Sequence, residues 1–325
     1  MTISGIQAPQ QDQTAGLIRR DRALLIIAAI AFLFLVIVQQ YPTPEQQTRM
    51  GRALHNSAHT PWFFLLSLLL WFALGYVKKI NKKQRVKVFV LIALGLALAT
   101  EAVQLLTPRQ ASWSDVLANL GGATAAMLLL WARSYWLREK TAWALALAVL
   151  SLLIILTGFW GVADILLLRA QQQAQAPVLV DFSNSTERIM RTVRGSWQRV
   201  SGVPAWAGFQ SRQVAHISIT GQSRYPGLTL REPLADWTGY QYLLFDGYLP
   251  GEAPLDLDIR LETFTDRGLA YIQSIQLAPG ENSVEIPIAV LQGQTNGPEN
   301  VKTLFIYHEF EGEYAEFYIS SLRLR

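Results

Sequence analysis

Between Ala23 and Leu168 the chain carries apolar runs long enough to demand a bilayer as their solvent. A hydrocarbon core of about 30 Å is crossed by roughly 20 helical residues at about 1.5 Å rise each. Runs of that kind fall at residues 22–39, 61–77, 87–106, 113–132 and 142–168. They predict an all-α transmembrane bundle of about five helices over 22–168, anchoring whatever follows. A chain with 51% hydrophobic and only 16% charged residues is too apolar for a single soluble enzyme of 325 residues.

Charge gives the runs a direction. Arg19, Arg20 and Arg22, then Lys78, Lys79, Lys82, Lys83, Arg85 and Lys87, then Arg133, Arg138 and Lys140, occupy alternate connections. Basic residues mark cytoplasmic loops, so the N-terminus is expected on the cytoplasmic side of the membrane and everything after Ala170 on the other side. The basic residues stand beside apolar runs rather than on one soluble face, which excludes nucleic acid as the expected partner. Through Ala170 there are 16 basic and 7 acidic side chains, and after it 12 and 17. The chain has no cysteine, which removes disulfides, thiolate nucleophiles and cysteine-based zinc sites. The first run ends in Gln39-Gln40-Tyr41-Pro42 without a small-x-small cleavage pattern, and reads as an uncleaved anchor. Residues 1–21 read as a polar cytoplasmic tail, and 169–177 as a Gln/Ala linker.

Polar groups inside apolar helices are the informative ones, because an acidic side chain at mid-membrane costs about 2.5–3.5 kcal/mol on insertion scales. Glu101 and Gln104 share a face near one end of the third run. Asp115, Asn119, Gly122 and Ala126 form a stripe along the fourth, polar first and then small, and small residues let helices approach closely. Arg109 stands between these two groups, and His55 and His59 precede the second run. Each has a plainer reading: Asp115 as a helix N-cap, Arg109 as a cation reaching lipid phosphate, Asn119 as interhelical glue, His55 as a solvated boundary histidine.

The string Glu101-x2-Gln104-x4-Arg109-x5-Asp115-x3-Asn119-x2-Gly122, preceded by His59 at the head of an aromatic-rich helix, resembles the VanZ-like family over residues 23–135. Asn56-Ser57 departs from the Asp-Lys pair expected before His59. The resemblance implies a polytopic protein of the bacterial envelope, in a family named for teicoplanin resistance and without an agreed molecular activity. It implies His59, Glu101, Gln104, Arg109, Asp115 and Asn119 as the polar site.

After Pro177 the periodicity changes to alternation. Leu255, Leu257, Ile259 and Leu261 alternate with Asp256, Asp258, Arg260 and Glu262, the mark of a strand with one dry and one wet face. Similar strands are expected at 215–220, 228–231, 240–245, 269–277, 284–288, 301–307 and 317–324, separated by Pro-Gly turns. They predict an all-β sandwich or jelly roll over 178–325. The strand endings resemble the galactose-binding-like jelly roll of many carbohydrate-binding modules. Trp206, Trp237, Tyr240 and Trp197 are then candidate stacking platforms for a glycan, with loop-borne Trp206 the expected exposed one; the plainer reading puts two or three of the four in the core.

Two classes of function stay open at this point, beside a plainer reading in which the polar hairpin is purely structural and the helices only anchor the outer domain. One is a non-enzymatic envelope protein that binds a lipid headgroup or lipid-linked saccharide through the helices and an envelope glycan or protein through the β domain. The other is a hydrolase or transferase on a lipid-linked substrate, with His59 as base, Glu101 or Asp115 as acid and Arg109 as anion clamp. Neither calls for a cofactor or a metal.

Overall fold

The computed structural model describes residues 48–75, 81–104, 112–182, 188–193, 195–203, 205–219, 227–264, 270–289, 299–309 and 314–325. The expected first span at 22–39, the 1–21 tail and Arg109 lie outside them. The chain divides into two compact units, residues 1–165 and 166–325.

The first unit is helical. Helices α1 (Arg49–Ser57) and α2 (His59–Gly75) run on as one 27-residue apolar helix. Helix α3 (Lys82–Gln104) has 23 residues and α4 (Trp113–Trp136) has 24, so each spans about 35 Å at about 1.5 Å per residue. All three are long and apolar enough to cross a membrane. Helices α5 (Thr141–Thr157) and α6 (Trp160–Gln175) occupy the expected span at 142–168, bent by 56° at Gly158-Phe159. The apolar run hides this break because the residues at the bend are themselves apolar. Counting the bent pair as one span gives up to four among the described residues.

Small residues bring these helices together. A Cβ on Gly122 of α4 would overlap the Thr60 carbonyl oxygen and stand 2.8 Å from Phe64 N, so α2 and α4 touch backbone to backbone. Ala125 and Ala126 are fully buried beside it. Ser151 of α5 donates to the Ala125 carbonyl at 2.8 Å, an interhelical bond of the kind apolar surroundings favour.

The second unit is a two-sheet antiparallel sandwich. One sheet joins β1 (Val178–Val180), β12 (Leu322–Leu324), β6 (Tyr242–Leu249), β11 (Ala315–Ile319), β4 (Gln213–Ile219) and β3 (Gly195–Ser201) in that order, with β9 (Gly280–Pro287) on the other edge of β6. The other runs β2 (Met190–Val193), β5 (Gly227–Arg231), β10 (Val301–Tyr307), β7 (Leu255–Thr263) and β8 (Ala270–Leu277). Alternation does what it promised: Leu255, Leu257, Ile259 and Leu261 enter the core with Phe245, Phe317 and Leu304. Asp256 and Asp258 face out, accepting from Gln276 at 2.8 Å and Ser274 at 2.6 Å on β8. The strand expected at 317–324 is two, because Ser320 turns aside to bond Asp246 through both its backbone N–H and its hydroxyl. Within this unit the end of α6 is tied down: Leu168 joins the core, Gln172 donates to the Glu232 carbonyl at 3.0 Å, and Arg169 pairs with Glu232 at 3.7 Å.

Candidate functional site

The head of α2, the tail of α3 and the head of α4 meet at one end of the helical unit, and the polar residues of the sequence motif gather there. His59 is 2% exposed because it opens α2 directly against α4. Its Nδ1 lies 3.0 Å from Asn119 Oδ1. Asn119 Nδ2 in turn donates to Thr100 Oγ1 at 3.2 Å, and the Thr100 hydroxyl donates to the Ala97 carbonyl at 2.9 Å. Three helices are thus joined by one hydrogen-bonded chain whose members are almost wholly buried, an environment in which each bond counts for more and an unmade one costs more. His59 Nε2, on the far side of the ring, is buried without a hydrogen-bond partner and stands 3.9 Å from Asp115 Oδ2. His55 presents its ring edge-on to His59, centroids 6.2 Å apart.

Glu101 does something different. One carboxylate oxygen receives Gln104 Nε2 at 3.2 Å, and the other receives the backbone N–H of Ser112 at 3.0 Å. Ser112 is the N-cap of α4, its hydroxyl accepting from Ser114 N at 3.2 Å. The buried carboxylate therefore pins the start of α4 to the end of α3, and satisfies an N–H that helix geometry leaves without an intrahelical acceptor. Of the six residues of the expected site, His59 and Asn119 share one network with Asp115 3.9 Å from it, Glu101 and Gln104 share a second bond, and Arg109 lies outside the described residues. Thr100 completes the first network and was not among the expected residues; its one signal is its place on the buried face with Ala97, Glu101 and Gln104. Gly122 and Ala126 lie further along α4 at the helix contact. Among the described residues no three His, Asp or Glu side chains converge as metal ligands would.

In the sandwich the expected aromatic platforms fall inside. Trp206 is 2% exposed, correcting its expected place on the surface. Its ring stacks on Phe209 at 4.1 Å and on Tyr248 at 6.0 Å, and packs with Val203 and Val214. Trp237 is fully buried, its indole N–H donating to the Leu234 carbonyl at 2.7 Å, which makes it a core residue. Tyr240 and Trp197 are half-buried against the core.

The outer face of the seven-stranded sheet carries a further row of half-buried aromatic and polar side chains. Register places Gln198, His216, Tyr318, Tyr248 and Glu281 side by side across β3, β4, β11, β6 and β9. The His216 and Tyr318 rings stack at 4.6 Å. His216 Nδ1 lies 3.2 Å from Gln198 Nε2 and His216 Nε2 3.2 Å from Glu316 Oε2, which also accepts the Tyr314 hydroxyl at 3.1 Å. Burial first, and then the nearby Glu316 carboxylate, hold the Tyr318 phenol above its ordinary ionisation range.

Comparison with solved structures finds neighbours at low similarity. An exo-β-agarase aligns at TM-score 0.38 and 12% identity over 46% of this chain and 25% of its own. The family 11 carbohydrate-binding module of Clostridium thermocellum, in complex with a β-1,3-1,4-mixed-linked tetrasaccharide, aligns at 0.35 and 16% over 46% and 94%. A carbohydrate-binding module specific for non-crystalline cellulose aligns at 0.35 and 11% over 46% and 93%. The chain thus spans about a quarter of the agarase, and the sandwich stands on its own strand pairing. Among curated proteins none matches the chain. The family comparison is the specific one: residues 7–138 match the VanZ/LLP1 family, the stretch that holds His59, Glu101, Gln104, Asp115 and Asn119.

Proposed function

We propose that this is a non-enzymatic, multi-pass protein of the bacterial cytoplasmic membrane that binds the headgroup of an envelope lipid or lipid-linked saccharide at the His59 end of its helices. The carrying observation is the buried His59 Nε2, which has no hydrogen-bond partner and faces the Asp115 carboxylate. A buried polar atom left unmade costs about 1–3 kcal/mol, and a ligand atom at that place would recover it. The basic connections around Lys82 and Arg133 belong to the opposite helix ends, so the positive-inside rule supports a site on the outer side with the β domain. The sandwich then binds an envelope glycan on the outer face of its larger sheet, where Tyr318 and His216 offer stacked rings flanked by Gln198 and Glu316.

Native mass spectrometry of the full-length protein with its co-purified lipids tests the membrane half. A retained lipid that disappears in His59→Gln supports the reading, and identical lipid retention in both chains overturns it. Glycan-array binding that falls in Tyr318→Ala supports the sandwich half, and binding unchanged by that substitution removes the face from consideration. On deletion of the protein this reading expects a change in teicoplanin susceptibility that wild type restores and His59→Gln does not.

The hydrolase or transferase reading draws on the same atom, because an Asn119-oriented ring with Nε2 unbonded has the disposition of a general base. It is separated by product: a lipid recovered chemically altered after incubation favours catalysis, and one recovered intact favours binding.

A further inference from the structure

The hydrogen bonds around His59 run in one direction. Thr100 has a single hydroxyl proton and gives it to the Ala97 carbonyl, so its oxygen is left to receive Asn119 Nδ2. That turns Asn119 Oδ1 toward His59, and an amide oxygen only accepts. His59 therefore carries its proton on Nδ1, and in the neutral ring Nε2 is an acceptor with nothing to accept. Opposite it, 3.9 Å away, stands a carboxylate that also only accepts, and no hydrogen bond to another described residue occupies it. Two acceptors face one gap.

We infer that this gap takes a hydrogen-bond donor from the lipid, an ammonium or a hydroxyl, and not a phosphate oxygen. The inference rests on the proposed lipid site and names the chemistry of its ligand. A donor atom about 2.9 Å from both acceptors sits about 2 Å off the line between them, so a single N–H or O–H group serves both. A phosphate oxygen in the gap would add a third acceptor beside His59 Nε2 and the Asp115 carboxylate, with no proton to share among them.

The test compares four diacyl lipids added to delipidated full-length protein and followed by native mass spectrometry. Phosphatidylethanolamine offers an ammonium with N–H donors, and diglucosyl-diacylglycerol offers hydroxyls without charge. Phosphatidylcholine keeps the phosphate but has a quaternary ammonium without N–H, and phosphatidic acid is an anion alone. Retention of phosphatidylethanolamine or of the diglucosyl lipid at least tenfold above the other two, abolished by His59→Phe, is the expected result. Which of the two is retained tells ammonium from hydroxyl. Asp115→Asn places an N–H donor in the gap, and is expected to lower the preferred lipid and raise phosphatidic acid. Phosphatidic acid preferred by the wild-type chain and lost in His59→Phe overturns the donor assignment while leaving the lipid site standing. Retention of every lipid unchanged by His59→Phe overturns the lipid site itself. The comparison of ethanolamine with choline headgroups needs no variant, so a variant that fails to fold does not shield the inference.

Discussion

In the helical unit the side chains pointing outward are Leu91, Leu117 and Leu145, each about two-thirds exposed, while Ala97, Ala125, Ala126, Gln104 and Asn119 are fully buried. The sandwich has the reverse arrangement, with Phe182, Phe245, Phe317 and Ile259 inside and Asp256, Gln198 and Glu281 outside. The same residue types are sorted in opposite senses because the two units answer to different solvents. In water, burying large apolar side chains drives folding. In lipid, an outward leucine loses nothing, and helices are held by close backbone approach and by polar pairs such as Asn119 with Thr100. For that reason the polar groups carry the specific information in the helices.

The largest expected effect breaks the comparison in the sandwich. Phe317→Ala removes a fully buried ring and is expected to cost about 3–5 kcal/mol. Thermal unfolding of the full-length protein would show the sandwich transition fall while Leu117→Ala, exposed on α4, leaves the helical one nearly in place. A large loss from Leu117→Ala would mean that this surface is covered by protein rather than lipid. Next, Leu91→Asp at the middle of α3 is expected to cost about 2.5–3.5 kcal/mol of insertion, read as loss of the chain from the membrane fraction. If that substitution is neutral, the outward faces meet water and the contrast fails. Smaller again, Gly122→Ala forces a methyl against the α2 backbone at Thr60, at about 1–3 kcal/mol in a detergent melt.

Much of this was legible in the sequence, and for physical reasons. Half-buried strands alternate, so β7 was readable residue by residue, and spans announce themselves by length. What failed to show was tertiary. Strand β3 mixes Ser196, Gln198 and Arg199 around one half-buried Trp197, so its place beside β4 comes from pairing and not from pattern. Trp206 lies in glycine-rich sequence that reads as an exposed loop, and only the folded chain brings Phe209 and Tyr248 onto its ring. The bend at Gly158 has no polar marker, though a Cβ there would stand 2.8 Å from the Thr60 side chain. In the polar cluster at the head of α2 the motif named His59, Asn119 and Asp115. It could not name Thr100, since a threonine in an apolar helix usually bonds its own backbone, and its second bond arrives from a residue 19 positions away.

The smallest expected effect sharpens the contrast from the water-facing side, where polar groups titrate within reach of solvent. Tyr318 has its phenol held above the ordinary value near 10, by burial and then by Glu316, Tyr248 and Tyr314. A raised value means that the folded chain favours the neutral phenol. Its contribution to stability is complete below the unfolded value near 10 and is lost as pH climbs through the folded one, so nothing changes at neutral pH. Absorbance titration of the tyrosines should place the phenol missing from Tyr318→Phe among the later-ionising ones. Glu316→Gln should bring it earlier without making it ordinary, because burial acts before the carboxylate does. A Tyr318 that ionises with the exposed tyrosines would show that the His216–Tyr318 stack is open to water, and the sheet face would lose the ordered aromatic platform that the proposed glycan binding requires.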